Sequence, residues 1–162
     1  MNKYIREPGN FVTHVIPALL AFWGLYLLLQ ESTTAFHYAS AYIYGIGIII
    51  LFSVSALYHS IPRTDYSLRV WQKLDHCCIY IMIAGSFTPT VLIIFDGWLR
   101  WLVFGLIWTI ALIGCLLKIF NRLKNQYLST GLYIAMGCIV IPFLQQILQV
   151  LPFAAIMWLI LG

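Results

Sequence analysis

Five stretches of this chain are long and apolar enough to cross a bilayer, and nothing else about it limits the fold as strongly. They cover residues 11–29, 39–59, 77–95, 98–120 and 128–150. A spanning helix needs about 20 mostly apolar residues, because the hydrocarbon core is about 30 Å thick and a helix rises about 1.5 Å per residue. Inside that core the backbone finds no water, so each span must satisfy its own polar groups as a helix. A soluble domain could not hide such a chain: 62% of its 162 residues are hydrophobic and 9% are charged. Soluble proteins average about 45–50% and about 25%.

The expectation is therefore an all-α, polytopic membrane helical bundle forming one domain over residues 1–162. The connections are short, the longest running from Ser60 to His76, and no repeat or low-complexity tract interrupts them. A sixth apolar run, "PFAAIMWLILG" at 152–162, has eleven residues. It would rise about 16 Å, roughly half a hydrocarbon core, and is expected to be a partial span. The first span is expected to stay in the mature protein, since its length of about 19 residues exceeds the usual 7–15 of a signal peptide core.

Charge sets the expected orientation. Lys3 and Arg6 precede the first span, Arg63, Arg69 and Lys73 separate the second from the third, and Lys118, Arg122 and Lys124 surround the end of the fourth. With alternating spans these share one side, and only Arg100 of the nine basic residues lies opposite. The positive-inside rule then predicts a multi-pass protein of the plasma membrane with its amino terminus in the cytoplasm. The net charge of +4 follows from topology and anionic headgroups, and requires no nucleic-acid partner.

Within the spans, Gly45, Gly47, Ala84, Thr88, Gly131 and Gly137 are small enough to let helices approach closely. Pro17, Pro89 and Pro142 each remove a backbone donor and are expected to kink their helices. Cys77, Cys78, Cys115 and Cys138 show no C-x-x-C spacing and are expected to be packing residues.

The polar residues are not spread evenly. Glu7, Asn10, Thr13 and His14 stand at the inner end of the first span, Ser55 and His59 at the inner end of the second, and Asp75 and His76 at the start of the third. Three helices thus carry hydroxyl and ionisable groups to one level. Ser55 and His59, in "ILFSVSALYHS", are four apart and share a helix face. If the first helix begins at Pro8, Asn10 and His14 share one too. Charged groups in spans are costly, usually face the bundle interior and usually have a use. The bland alternatives are an interfacial histidine at 59 and a helix-capping role for Asp75.

A catalytic zinc takes about three protein ligands and leaves one position for water. His59 could supply one, Asp75 could orient or deprotonate the water, and Ser55 could bond a substrate carbonyl. His14 and His76 are further candidates that the spacing does not support.

"EPGNFVTH" at 7–14, "SALYH" at 55–59, "LDH" at 74–76, "AGSFTP" at 84–89 and "GLYIAMG" at 131–137 resemble, in order, the hemolysin III branch of the progestin and adipoQ receptor family. The resemblance implies a seven-helix fold, here five full spans and a partial sixth, with a cytoplasmic amino terminus. It implies a zinc held by His59 and by two histidines of an H-x-x-x-H motif in the last span, with Asp75 beside the zinc-bound water and Ser55 in the same site. No H-x-x-x-H occurs in this sequence, so two of the three implied ligands are absent from it. Related ceramidases hydrolyse lipid amides, which makes a zinc-dependent hydrolase acting on membrane lipid the leading expectation. A pore-forming cytolysin is the second, although a pore needs polar groups along its whole length. A lipid sensor without turnover is the third.

Overall fold

The computed structural model describes residues 5–60, 64–123 and 125–161, with the side chains of all of these except residues 126 and 158–160. Lys3, Arg63 and Lys124, three of the charges used above, lie outside the described residues, as does Gly162 of the sixth run. The described chain is helical throughout: α1 Pro8–Gln30, α2 Ala35–Ser60, α3 Asp65–Ile94, α4 Gly97–Ile119, α5 Gln126–Cys138, a 3₁₀ turn Ile141–Phe143, α6 Leu144–Val150 and α7 Phe153–Leu161. Five segments are long and apolar enough to cross a membrane. Leu19, Leu20 and Trp23 of α1 are 66%, 63% and 62% exposed. Lipid accepts such surface and water does not. The chain is a multi-pass membrane protein.

α1 starts where Pro8 sets φ and needs no donor, and Pro17 and Pro89 are accommodated inside continuous helices. Pro142 is not: it lies in the 3₁₀ turn that separates α5 from α6. The expected third span differs more. Its helix begins at Asp65, capped by the Thr64 side chain, which accepts from the Ser67 N–H. Residues 65–76 carry too many charges to look like a span, yet they contain no glycine or proline to stop a helix. Asp75 therefore stands about 15 Å along α3. It does not cap the helix.

α3 is the hub, packing against α2, α4, α5 and α6. Tyr80, Ala84, Ile107, Ala111 and Met136 form a buried cluster, and Val91, Phe95, Val103 and Ile147 form a second. Gly114 lets Tyr80 approach α4, since a Cβ there would lie 2.6 Å from the ring. Gly131 and Gly137 have nothing within 4 Å and serve no close contact among the described residues. Two polar pairs bridge helices in this core: the Trp108 indole N–H donates to Thr88 Oγ1 at 3.2 Å, and the Tyr80 hydroxyl meets Ser129 Oγ at 3.4 Å. Cys77, Cys78, Cys115 and Cys138 are free thiols, and only Cys138 is exposed.

The α3–α4 turn explains the one basic residue at its end of the bundle. Gly97, at φ +56°, adopts the left-handed backbone that glycine tolerates. Arg100 then donates to Phe95 O at 2.6 Å and to Asp96 Oδ1 at 2.8 Å. Its charge is answered locally.

Candidate functional site

The chain before α1 runs alongside the last turn of α2. The Arg6 N–H donates to Ser60 O at 2.9 Å and the Glu7 N–H to His59 O at 3.1 Å, while Arg6 Nη2 reaches Tyr58 O at 3.0 Å. Carbonyls at a helix end lack intrahelical partners, and here a segment more than fifty residues away supplies them. Glu7 occupies the N-cap position of α1 but its side chain makes no capping bond. Its carboxylate reaches sideways instead.

Glu7 Oε2 lies 2.6 Å from His59 Nδ1 and accepts from Asn10 Nδ2 at 2.9 Å, and Glu7 Oε1 meets Arg6 Nη2 at 3.0 Å. The Asn10 amide does most to hold the Glu7 carboxyl below its ordinary value, burial works against it, and His59 and Arg6 add to the lowering. Starting α1 at Pro8 puts Asn10 and His14 on the face toward α2. The His14 ring lies 5.5 Å from that of His59, and its buried Nδ1 has no partner. Thr13 turns back to Asn10 O at 3.0 Å and leaves the cluster.

Two imidazoles, a carboxylate, an amide and a guanidinium thus meet where α1 begins and α2 ends. In the neutral tautomer whose Nδ1–H donates to Glu7, the His59 Nε2 carries the lone pair. That is the arrangement of an imidazole ready to take a proton or bind a metal.

The haemolysin-III-related family matches residues 2–162. The chain belongs to it. Hemolysin-3 of Bacillus cereus is 35% identical over 87% of this chain and 66% of its own length. The Hemolysin-3 homolog of Bacillus subtilis (strain 168) is 32% identical over 97% of this chain and 75% of its own. The human monocyte to macrophage differentiation factor is 29% identical over 82% and 57%. The last match fits the hemolysin III branch of the progestin and adipoQ receptor family. The chain spans about two thirds of the Bacillus cereus relative. No solved structure matches it.

In this haemolysin-III-related chain the sequence-predicted residues divide. Glu7, Asn10, His14 and His59 come together as described. Ser55 is buried one turn before His59 on α2. Asp75 is half-buried on α3. Among the described residues it makes no hydrogen bond or ion pair, and the carboxylate on His59 is that of Glu7. Arg6 and Tyr58 were not singled out as site residues, and their only signal was adjacency to Glu7 and His59. The Arg6 guanidinium sits 4.7 Å over the Tyr58 ring.

The zinc implied by the resemblance meets a partial donor set. Among the described residues no three His, Cys, Asp or Glu side chains come together so as to hold a metal ion. His59 Nε2 is one available ligand, and the cluster does not itself amount to a zinc centre.

Proposed function

We propose that this haemolysin-III-related protein acts on membrane lipid at the cytoplasmic face of the plasma membrane, hydrolysing lipid amides, with its amino terminus inside. The 2.6 Å contact between Glu7 Oε2 and His59 Nδ1 carries the reading, because it prepares His59 Nε2 for chemistry at headgroup depth. The basic residues support the orientation. The amide class rests on the family resemblance alone.

On this chain's own groups, His59 Nε2 takes a proton from water as the oxygen bonds to the amide carbonyl carbon. The C–N bond then breaks while the nitrogen receives that proton, leaving a fatty acid and an amine. Ser55, on the same face of α2, is assigned to hold the carbonyl oxygen. Asp75 is assigned as a second group acting on the water. A zinc on His59 Nε2 would occupy the lone pair that takes the proton, so metal content measured with and without His59→Ala decides between the two roles: zinc lost in the variant would make His59 a ligand and leave the proton to Asp75.

The protein reconstituted in vesicles containing ceramide, with zinc in the buffer, should release free fatty acid detectable by mass spectrometry. His59→Ala should slow release by about 100-fold or more, the usual worth of a general base. Equal rates would remove the Glu7–His59 pair from the chemistry. Tight ceramide binding with no release by wild type would replace the hydrolase with a sensor.

A further inference from the structure

A second polar feature at the same end of the bundle is separate from Glu7 and His59. A cavity of about 300 Å³ between α3 and the end of α4 is lined by Arg69, Gln72, Lys73, His76, Lys118 and Asn121. It has about ten times the ~30 Å³ share of one water. The ion pairs among the described residues join Glu7 to Arg6 and His59, and Asp96 to Arg100. None involves Arg69, Lys73 or Lys118.

Helix capping accounts for Lys73 but not for Arg69 or Lys118. At the end of α4 the carbonyl of Leu116 accepts from Phe120 N, that of Leu117 from Arg122 N and Leu123 N, and that of Lys118 from Asn121 N. Lys73 Nζ takes Ile119 O at 3.2 Å. The terminal carbonyls are therefore satisfied without Arg69 or Lys118. Asp75 is next to His76 in sequence but about 100° round the helix.

The neighbouring face of α3 indicates what kind of ligand comes here. Arg69, Lys73 and His76 form one stripe at spacings of four and three, and Tyr66, Val70 and Leu74 form the stripe beside it at spacings of four. The second stripe is exposed, Tyr66 by 73%. Cationic and apolar stripes side by side match a molecule with a phosphate and acyl chains. We propose that this pocket binds the phosphate of an anionic phospholipid of the adjacent leaflet, with the headgroup beside Val70 and Leu74 and the acyl chains running along the span that begins at residue 77.

Native mass spectrometry of the full chain in micelles containing dioleoyl phosphatidylglycerol or dioleoyl phosphatidylcholine tests this. Wild type should retain phosphatidylglycerol in preference. Arg69→Gln should weaken retention about fivefold, and Arg69→Gln with Lys118→Gln about thirtyfold, by the usual attraction per basic residue. Arg122→Gln, outside the pocket, should change nothing. Arg69→Lys with Lys118→Arg keeps the charges and should retain the lipid, separating lost binding from lost folding. Equal retention of the two lipids, an unaffected double Gln variant, or loss in the charge-conserving variant would overturn the proposal. So would displacement by millimolar inorganic phosphate, which would make this a site for free phosphate.

Discussion

The two sides of the bundle are held together by different means. Where α1 meets the end of α2, directional bonds dominate the contact: Arg6, Glu7, Asn10 and His59 exchange charge and hydrogen bonds at 2.6–3.1 Å. Ala18 is the one buried residue among those described on α1. Where α3 meets α4 and α5, contact depends on shape, with Tyr80, Ala84 and Ala111 wholly enclosed. In lipid no hydrophobic effect drives helices together, so close packing carries stability. The difference separates a scaffold from a site: damage on the α3 side should unfold the protein, and damage to the polar groups at the end of the α1–α2 seam should alter chemistry with little loss of fold. Further along that seam α1 packs by shape as well, since a Cβ at Gly45 would lie 2.7 Å from Leu25.

The most severe test of that division is Gly114→Ala. The added methyl would lie 2.6–2.8 Å from three atoms of the Tyr80 ring. That ring cannot retreat, being fully buried and packed 4.4 Å from the Tyr133 ring. Overpacking of this kind costs about 1–3 kcal/mol, and the melting midpoint in detergent should fall by several degrees. Gly131→Ala, with nothing within 4 Å of the new atom, should leave the midpoint in place. Equal effects at the two sites would remove the contrast.

Thr88→Val asks a finer question of the same scaffold. Thr88 Oγ1 donates to Ala84 O at 2.9 Å and accepts from Trp108 Nε1. Valine keeps the shape and leaves the indole N–H unpaired. Buried hydrogen bonds between membrane helices average about 0.6 kcal/mol and reach about 1.7, so the loss should be smaller than at Gly114. Hydrolysis, if the proposed activity is found, should continue at the wild-type rate per folded molecule. A change in rate without a change in midpoint would place Thr88 in the functional path and blur the division.

Sequence reasoning reached these two regions to different depths. Spans were legible because a hydrocarbon core demands runs of apolar residues; a kink was expected at Pro142 as at Pro17 and Pro89, and of the three only Pro142 stands where the helix gives way to a 3₁₀ turn. The start of α3 was not legible: hydropathy cannot see a helix whose first turns, from Asp65 to His76, are charged. The Asn10–His14 face could be foreseen once Pro8 was taken as the helix start. That Glu7 partners His59 could not, because 52 residues separate them and only the packing of α1 on α2 brings them together. Asp75 was expected to act on the water of the same site because it is an ionisable group near the level of His59, and among the described residues no hydrogen bond or ion pair joins the two. Arg6 appeared only as a topological charge, although it bonds to both the carboxylate and the end of α2.

The gentlest test acts on the α1 side through pH. The Glu7 carboxyl is held below its ordinary value of 4.5, chiefly by Asn10, then by His59 and Arg6. A group lowered on folding adds stability above its unfolded value and loses it as pH falls through the folded value. The contribution of Glu7 should therefore be fully present at pH 7, persist through pH 5, and disappear only below about 4.5 as the carboxyl takes a proton. Glu7→Gln removes the charge at every pH, so wild type and variant should differ at neutral pH and converge in acid. The carboxylate is 40% exposed, and pairs so open to solvent are worth about 0–1 kcal/mol, which limits the difference in midpoint to about 2 °C. A larger gap that persists below pH 4 would mean that the Glu7 side chain holds α1 by packing, and the two sides of the bundle would then differ less than their chemistry suggests.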